Sequence, residues 1–162
     1  MARLNRASLT KANKMLKSKL LPALIAGAAI FAAGPTLAAE HVVKMLNSGA
    51  DGAMVYEPSV IRAKPGDTVR FVPTTKGHNA ELIAGMAPAG VTFPKGAMGK
   101  EYVVKVDKAG VYGFKCAPHY GMGMVALVQV GNAPNRAAAE AVAAKAPGVA
   151  KKRFAAMFAR LK

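Results

Sequence analysis

A chain of 162 residues with a formal net charge of +15 is long enough for one domain with a buried core, and it is strongly basic. The excess is uneven, at +6 over residues 1–38, +3 over 39–132 and +6 over 133–162, so the central segment is only mildly basic. With 6% aromatic residues and neither a recognition-helix pattern nor an aromatic RNA-binding strand, the composition points away from nucleic acid.

The first segment reads as a leader. Arg3, Arg6, Lys11, Lys14, Lys17 and Lys19 form a basic start without an acid, and an apolar run follows from Leu20 to Ala33. Gly34-Pro35 breaks that run, and Thr36-Leu37-Ala38-Ala39 offers small residues for cleavage. The pattern predicts a signal peptide over 1–38, cut after Ala38, and a periplasmic mature protein. The run falls short of the roughly twenty apolar residues of a membrane span, so no stable membrane association is expected. No two arginines are adjacent, which favours export of the unfolded chain. The single cysteine excludes an intrachain disulfide, and an unpaired thiol in an oxidising compartment is a liability unless something occupies it.

From Glu40 to Val130 the chain alternates apolar and polar residues in short runs broken by turn signals. Strands are predicted at 40–47, 53–63 with a kink at Pro58, 67–72, 79–83, 100–106, 111–116 and 124–130. Asn47-Ser48-Gly49, Lys64-Pro65-Gly66-Asp67 and Lys108-Ala109-Gly110 supply turns between them. Pro58 belongs on an edge strand or at a bulge. Residues 84–99 read as a long loop with room for one helical turn. Seven or eight strands in so short a stretch predict an all-β Greek-key sandwich of two sheets.

The chemistry lies at the end of the strand over 111–116. Phe114 and Cys116 share one face of it and Lys115 takes the other, so Phe114 is assigned to the core and the sulfur of Cys116 to a cavity at the strand end. Cys116, His119 and either Met122 or Met124 place a thiolate, an imidazole and a thioether within nine residues. His78 is the obvious further ligand and must come from a different strand. Two imidazoles and a thiolate in a plane, with a weak axial methionine, form the mononuclear blue-copper electron-transfer site. Each residue alone is more often a core or surface residue; their joint occurrence carries the reading.

The stretch Phe114-Lys115-Cys116-Ala117-Pro118-His119-Tyr120-Gly121-Met122-Gly123-Met124, with Lys76-Gly77-His78-Asn79 and Met45-Leu46-Asn47, closely resembles the pseudoazurins, a group of bacterial cupredoxins. The resemblance runs from about Glu40 to the C-terminus. The Cys–His–Met spacing is shared with plastocyanins; the surrounding residues and the C-terminal extension favour pseudoazurin. It implies one copper ion cycling between Cu(II) and Cu(I), held by His78, Cys116, His119 and, in preference to Met122, Met124. Asn79 is expected to tie the His78 segment to the Cys116 loop and to offer its backbone N–H to the sulfur. Pro118 has no N–H to give, which leaves the sulfur fewer donors. Lys76, Lys95, Lys115 and Met122 are expected to border His119 at the face that docks partners. Pseudoazurins donate electrons to periplasmic redox enzymes such as copper nitrite reductase, or serve methylotrophic dehydrogenase chains, and a monomer with a partner of this kind is expected here.

Beyond the sandwich (39–131), residues 132–162 read as a helical extension. Asn132 or Asn135 caps a first helix running from near Pro134 to Lys145, ended by Pro147-Gly148. A second runs over 149–161, with Val149, Phe154, Met157, Phe158 and Leu161 on the side docked against the sandwich and Lys151-Lys152-Arg153 on a solvated face. His41 matches no ligand position and is assigned to the surface. An enzyme is not expected, because a copper oxidase or reductase needs a second site with three more histidines and the chain has three in all. The rival function is a periplasmic copper carrier or chaperone, which would use exposed methionines; Met45, Met54, Met86 and Met98 are scattered rather than clustered.

Overall fold

The computed structural model describes residues 37–161. The predicted signal peptide lies, up to residue 36, outside the described residues. Eight strands form two four-stranded sheets. The first contains β1 (Glu40–Gly49), β2 (Gly52–Glu57), β4 (Asp67–Pro73) and β6 (Tyr102–Val106), in the order β2-β1-β4-β6. The second contains β3 (Val60–Ala63), β5 (Glu81–Leu82), β7 (Gly110–Lys115) and β8 (Val125–Val130), in the order β3-β8-β7-β5. β1 pairs with β4 and β3 with β8 in parallel; all other pairs are antiparallel.

The inner faces meet as the alternation predicts. Val43, Met45, Val69, Phe71, Val104 and Val106 of the first sheet bury against Tyr112, Phe114, Ala126 and Val128 of the second. Phe71 is the centre of this core, with ring centroids 4.9 Å from Phe114 and 5.3 Å from Tyr56, separations at which aromatic pairs add to simple burial.

The predicted strand over 53–63 is two strands in different sheets. The chain changes sheet at Pro58, so β2 and β3 are both edge strands, the position where a missing N–H is tolerated. The strand expected at 79–83 shrinks to Glu81–Leu82, because Asn79 and Ala80 bond the loop beyond rather than a neighbouring strand. Residues 84–99 form that loop and contain no helix. Met86 folds back so tightly that a Cβ on Gly113 would stand 2.6 Å from its Cε, which requires glycine there.

Two helices, α1 (Arg136–Ala143) and α2 (Gly148–Arg160), cover the outer face of the second sheet. A second core results, in which Val111, Val125 and Leu127 pack on Ala139, Ala143, Phe154, Met157, Phe158 and Leu161. This explains why β7 and β8 are buried on both faces where simple alternation expects one wet face. Three expectations change here. Asn135 does not cap α1 with its side chain; it accepts from Val111 N–H (2.7 Å) and donates to Val111 O (2.8 Å), stitching the helix start to β7. Ala150, not Val149, completes the buried side of α2, and Val149 is 46% exposed. Arg153 is not solvated with Lys151 and Lys152 but half-buried under bonds to four carbonyls. Arg136 caps the other end of α2, donating to Leu161 O (2.7 Å) and to Phe158 O (2.9 Å), which also accepts from Leu161 N–H, at the end where the helix dipole favours a cation.

Candidate metal centre

At one end of the sandwich, two segments distant in sequence converge. His78 lies between β4 and β5, and Cys116 and His119 follow β7. His78 Nδ1 is 3.1 Å from His119 Nδ1, and Cys116 Sγ is 3.5 Å from His119 Nδ1 and 3.9 Å from His78 Nδ1. A circle through these three atoms has a radius of about 2 Å, close to the 2.0–2.3 Å of metal bonds to nitrogen and sulfur. One ion therefore fits among the three donors without rearrangement. Among the described residues, His78, Cys116 and His119 form a group of two imidazoles and a thiol whose donor atoms all lie within 4.8 Å of one another, close enough to share an ion.

The surroundings fix the donor atoms. His78 is fully buried, and its Nε2 lies 2.8 Å from Asn47 Oδ1 and 3.1 Å from Thr75 Oγ1. Asn47 Oδ1 can only accept, so the imidazole proton sits on Nε2 and a lone pair on Nδ1 faces the cluster. Burial, and then the neighbouring His119, push the pKa of His78 below the ordinary histidine value, which keeps it neutral as a ligand must be. Burial pushes the Cys116 thiol up, partly offset by backbone N–H donors from Asn79 and His119. A thiol so placed keeps its proton until a metal cation binds the sulfur and displaces the proton to solvent.

Asn79 links the two segments. Its Oδ1 accepts from Ala117 N–H (2.9 Å), while its Nδ2 donates to Glu81 Oε1 and Gly96 O (both 3.1 Å). Tyr56 OH donates to Asn79 O (2.5 Å) from beneath. The loop closes through Cys116 N–H to Met124 O (3.0 Å) and Met124 N–H to His119 O (3.1 Å). Met124 is fully buried in the same cluster as Cys116, whereas Met122 is 49% exposed, so burial separates the two methionines that spacing leaves open.

Pro118, Ala117 and Met122 are exposed around a half-buried His119. Lys76 and Lys95 are exposed; Lys115 is half-buried, its ammonium 5.1 Å from the centroid of the Tyr120 ring. His41 is less superficial than expected, its Nε2 pairing with Asp67 at 2.9 Å. Met45 and Met86 are fully buried, which removes them from any exposed copper-exchange surface. Sequence reasoning missed the roles of Asn47 and Thr75. Asn47 stood inside a quoted motif, but only the fold shows which side chain it meets.

Residues 43–131 match the family of copper-binding proteins of the plastocyanin/azurin type. The pseudoazurin of Methylorubrum extorquens is 56% identical over 118 residues, which cover 73% of this chain and 80% of its own. That of Paracoccus pantotrophus is 48% identical over 139 residues, covering 86% and 95%. Among solved structures, pseudoazurin from Methylobacterium extorquens AM1 superposes with a TM-score of 0.72 at 54% identity, over 76% of this chain and 99% of that one. Pseudoazurin from Hyphomicrobium denitrificans does so with a TM-score of 0.72 at 47% identity, over 76% and 98%.

Proposed function

The chain belongs to the pseudoazurins, within the plastocyanin/azurin family of copper-binding proteins, and from that premise we propose that it is a periplasmic one-electron carrier that delivers electrons to a redox enzyme. The observation that carries the reading is the triangle of His78 Nδ1, His119 Nδ1 and Cys116 Sγ, sized for a single ion. His78, Cys116 and His119 would hold copper as strong ligands and Met124 as a weaker thioether one. When bound, the copper supplies a one-electron Cu(II)/Cu(I) couple.

The chain contributes rigidity and a way out. His78 is fixed by Asn47 and Thr75, Cys116 by the strand end and the Met124 carbonyl, and both segments by Asn79. Donors held by the fold rather than by the ion keep their distances through a change of charge, so little reorganisation accompanies electron transfer. His119 turns Nδ1 inward and is half-buried, so the far edge of its ring lies toward the exposed Ala117, Pro118 and Met122. An apolar surface of this kind suits brief contact with a partner, and the imidazole provides the short path through it.

Lys76 and Lys95 stand exposed and Lys115 half-exposed, in reach of an acidic docking surface. Copper nitrite reductase and methylotrophic dehydrogenase chains are the partner types the family implies. A monomer suffices, since the site is built within one chain. Stopped-flow mixing of the reduced protein with periplasmic redox enzymes of its host tests the proposal. Rapid second-order oxidation by one of them is expected; slow oxidation by all, alongside ready transfer of copper to an apo-protein, would favour the copper-carrier reading.

A further inference from the structure

Arg153 stands out on α2. Its Nη1 donates to Met54 O (2.7 Å) and Gly123 O (2.8 Å), and its Nη2 to Ala53 O (2.9 Å) and Asp51 O (3.0 Å). One guanidinium thus gathers four backbone carbonyls about 100 residues and 30 residues away in sequence. Three belong to the β1–β2 turn and its exit, where Met54 holds a left-handed backbone at φ 50°. The fourth, Gly123 O, belongs to the peptide that leads into Met124.

The helix is seated on the segment before Met124 in other ways as well. Val149 N–H donates to Gly121 O at 2.9 Å. Gly123 has φ +93°, and a Cβ there would stand 2.8 Å from Arg153 Cδ and 3.0 Å from Val149 Cγ1. Gly148, at φ +52°, is a glycine because its missing Cβ faces the Gly121 carbonyl. The first two turns of α2 therefore press on residues 121–123, the segment between His119 and Met124. Since Met124 also bonds His119 O and Cys116 N–H through its own backbone, any shift of the Gly123–Met124 peptide is passed directly to the buried Met124 side chain.

We propose that Arg153 is a positioning residue for Met124, so that the C-terminal helix sets how Met124 would be presented to the metal; this rests on the ligand roles given above. The requirement is for arginine and not for positive charge. Four acceptors on two nitrogens need a planar fork of fixed donors, and a lysine ammonium has three donors at one point. Lys151 and Lys152, exposed on the same helix, meet the charge requirement but cannot make this bridge.

The test compares the copper-loaded wild-type chain with Arg153→Gln, Arg153→Lys and the control Lys152→Gln, each also in a Met124→Leu background. The readouts are the intensity ratio of the visible charge-transfer bands and the reduction potential. Both Arg153 variants should shift the ratio and the potential, and copper affinity should fall about tenfold, as for partners that orient ligands. Lys152→Gln should change none of these. In the Met124→Leu background the Arg153 substitutions should produce no further spectral shift. An unchanged ratio and potential in Arg153→Lys, which retains charge and fold, would reduce Arg153 to a structural strut and overturn the proposal. The same shift persisting without Met124 would overturn it as well. Failure of the underlying ligand reading looks different, since no intense band would then appear even in the wild type.

Discussion

Replacing Asn79 by alanine probes the joint between fold and metal centre. The change removes three hydrogen bonds while leaving Tyr56 its acceptor, the Asn79 carbonyl. Ala117 is exposed, so water can take up its freed N–H. Glu81 and Gly96 are buried, and their oxygens lose a donor that water does not easily replace. At about 1–3 kcal/mol for each of these two buried groups left short of a partner, the loss centres at about 4 kcal/mol. Guanidinium denaturation of the metal-free protein at neutral pH, wild type against variant, measures it without the contribution of copper binding. A loss below about 1 kcal/mol would refute the reasoning, because it would mean that neither acceptor depends on Asn79 for its satisfaction.

Other outcomes follow from the same geometry. Asn47→Ala removes the acceptor that fixes the proton on His78 Nε2, and copper affinity measured by chelator competition should fall about 10- to 100-fold. The Asp67 carboxyl is held down to about 2, from an ordinary 3.8, by the Lys64 N–H, then His41 and the Ala39 N–H. A depressed carboxyl stabilises the fold above its unfolded pKa and loses that contribution as pH falls from about 4 to about 2. The stability gap between wild type and Asp67→Asn, read from denaturant midpoints of metal-free protein, should therefore shrink from about 2 kcal/mol at pH 5 toward zero near pH 2; a gap constant with pH would contradict this. Electron transfer to the physiological acceptor should slow as salt shortens the Debye length to about 8 Å, and Lys76→Glu should slow it more than Lys151→Glu. The reverse order would place the docking face on the helical extension.

Much of the sandwich was legible because period-two alternation reports a half-buried strand directly, as along β1, β4 and β6. It does not report which sheet a strand joins, so residues 53–63 looked like one kinked strand although Pro58 separates two sheets. Nor does it anticipate a second layer: Val111, Val125 and Leu127 are buried because α1 and α2 lie over them, a fact carried by residues beyond Ala133. The donor residues were visible because Cys116, His119 and Met124 are close in sequence and few other residues have their chemistry. Their supports were not. Asn79 is the exception, since the resemblance already implies it as the tie between the His78 segment and the Cys116 loop; Asn47 and Thr75 are polar residues at turns, where such residues are expected for local reasons. Arg153 sits in a basic run on a helix that reads as a wet face, and only the approach of Gly123 and the β1–β2 turn turns it inward. Asn135 likewise looked like a helix cap because its nearest sequence neighbours form a helix, while its true partner is Val111.

The most direct measurement is titration of the metal-free protein with Cu(II) while recording its visible spectrum, for the wild type and for Cys116→Ser. The wild type should develop an intense charge-transfer band that saturates at one copper per chain, since one triangle of donors holds one ion. Cys116→Ser should remain folded and lack the band, because a hydroxyl cannot supply the covalency of a thiolate. An intense band that survives in Cys116→Ser, or none in the wild type, would contradict the account of the metal centre.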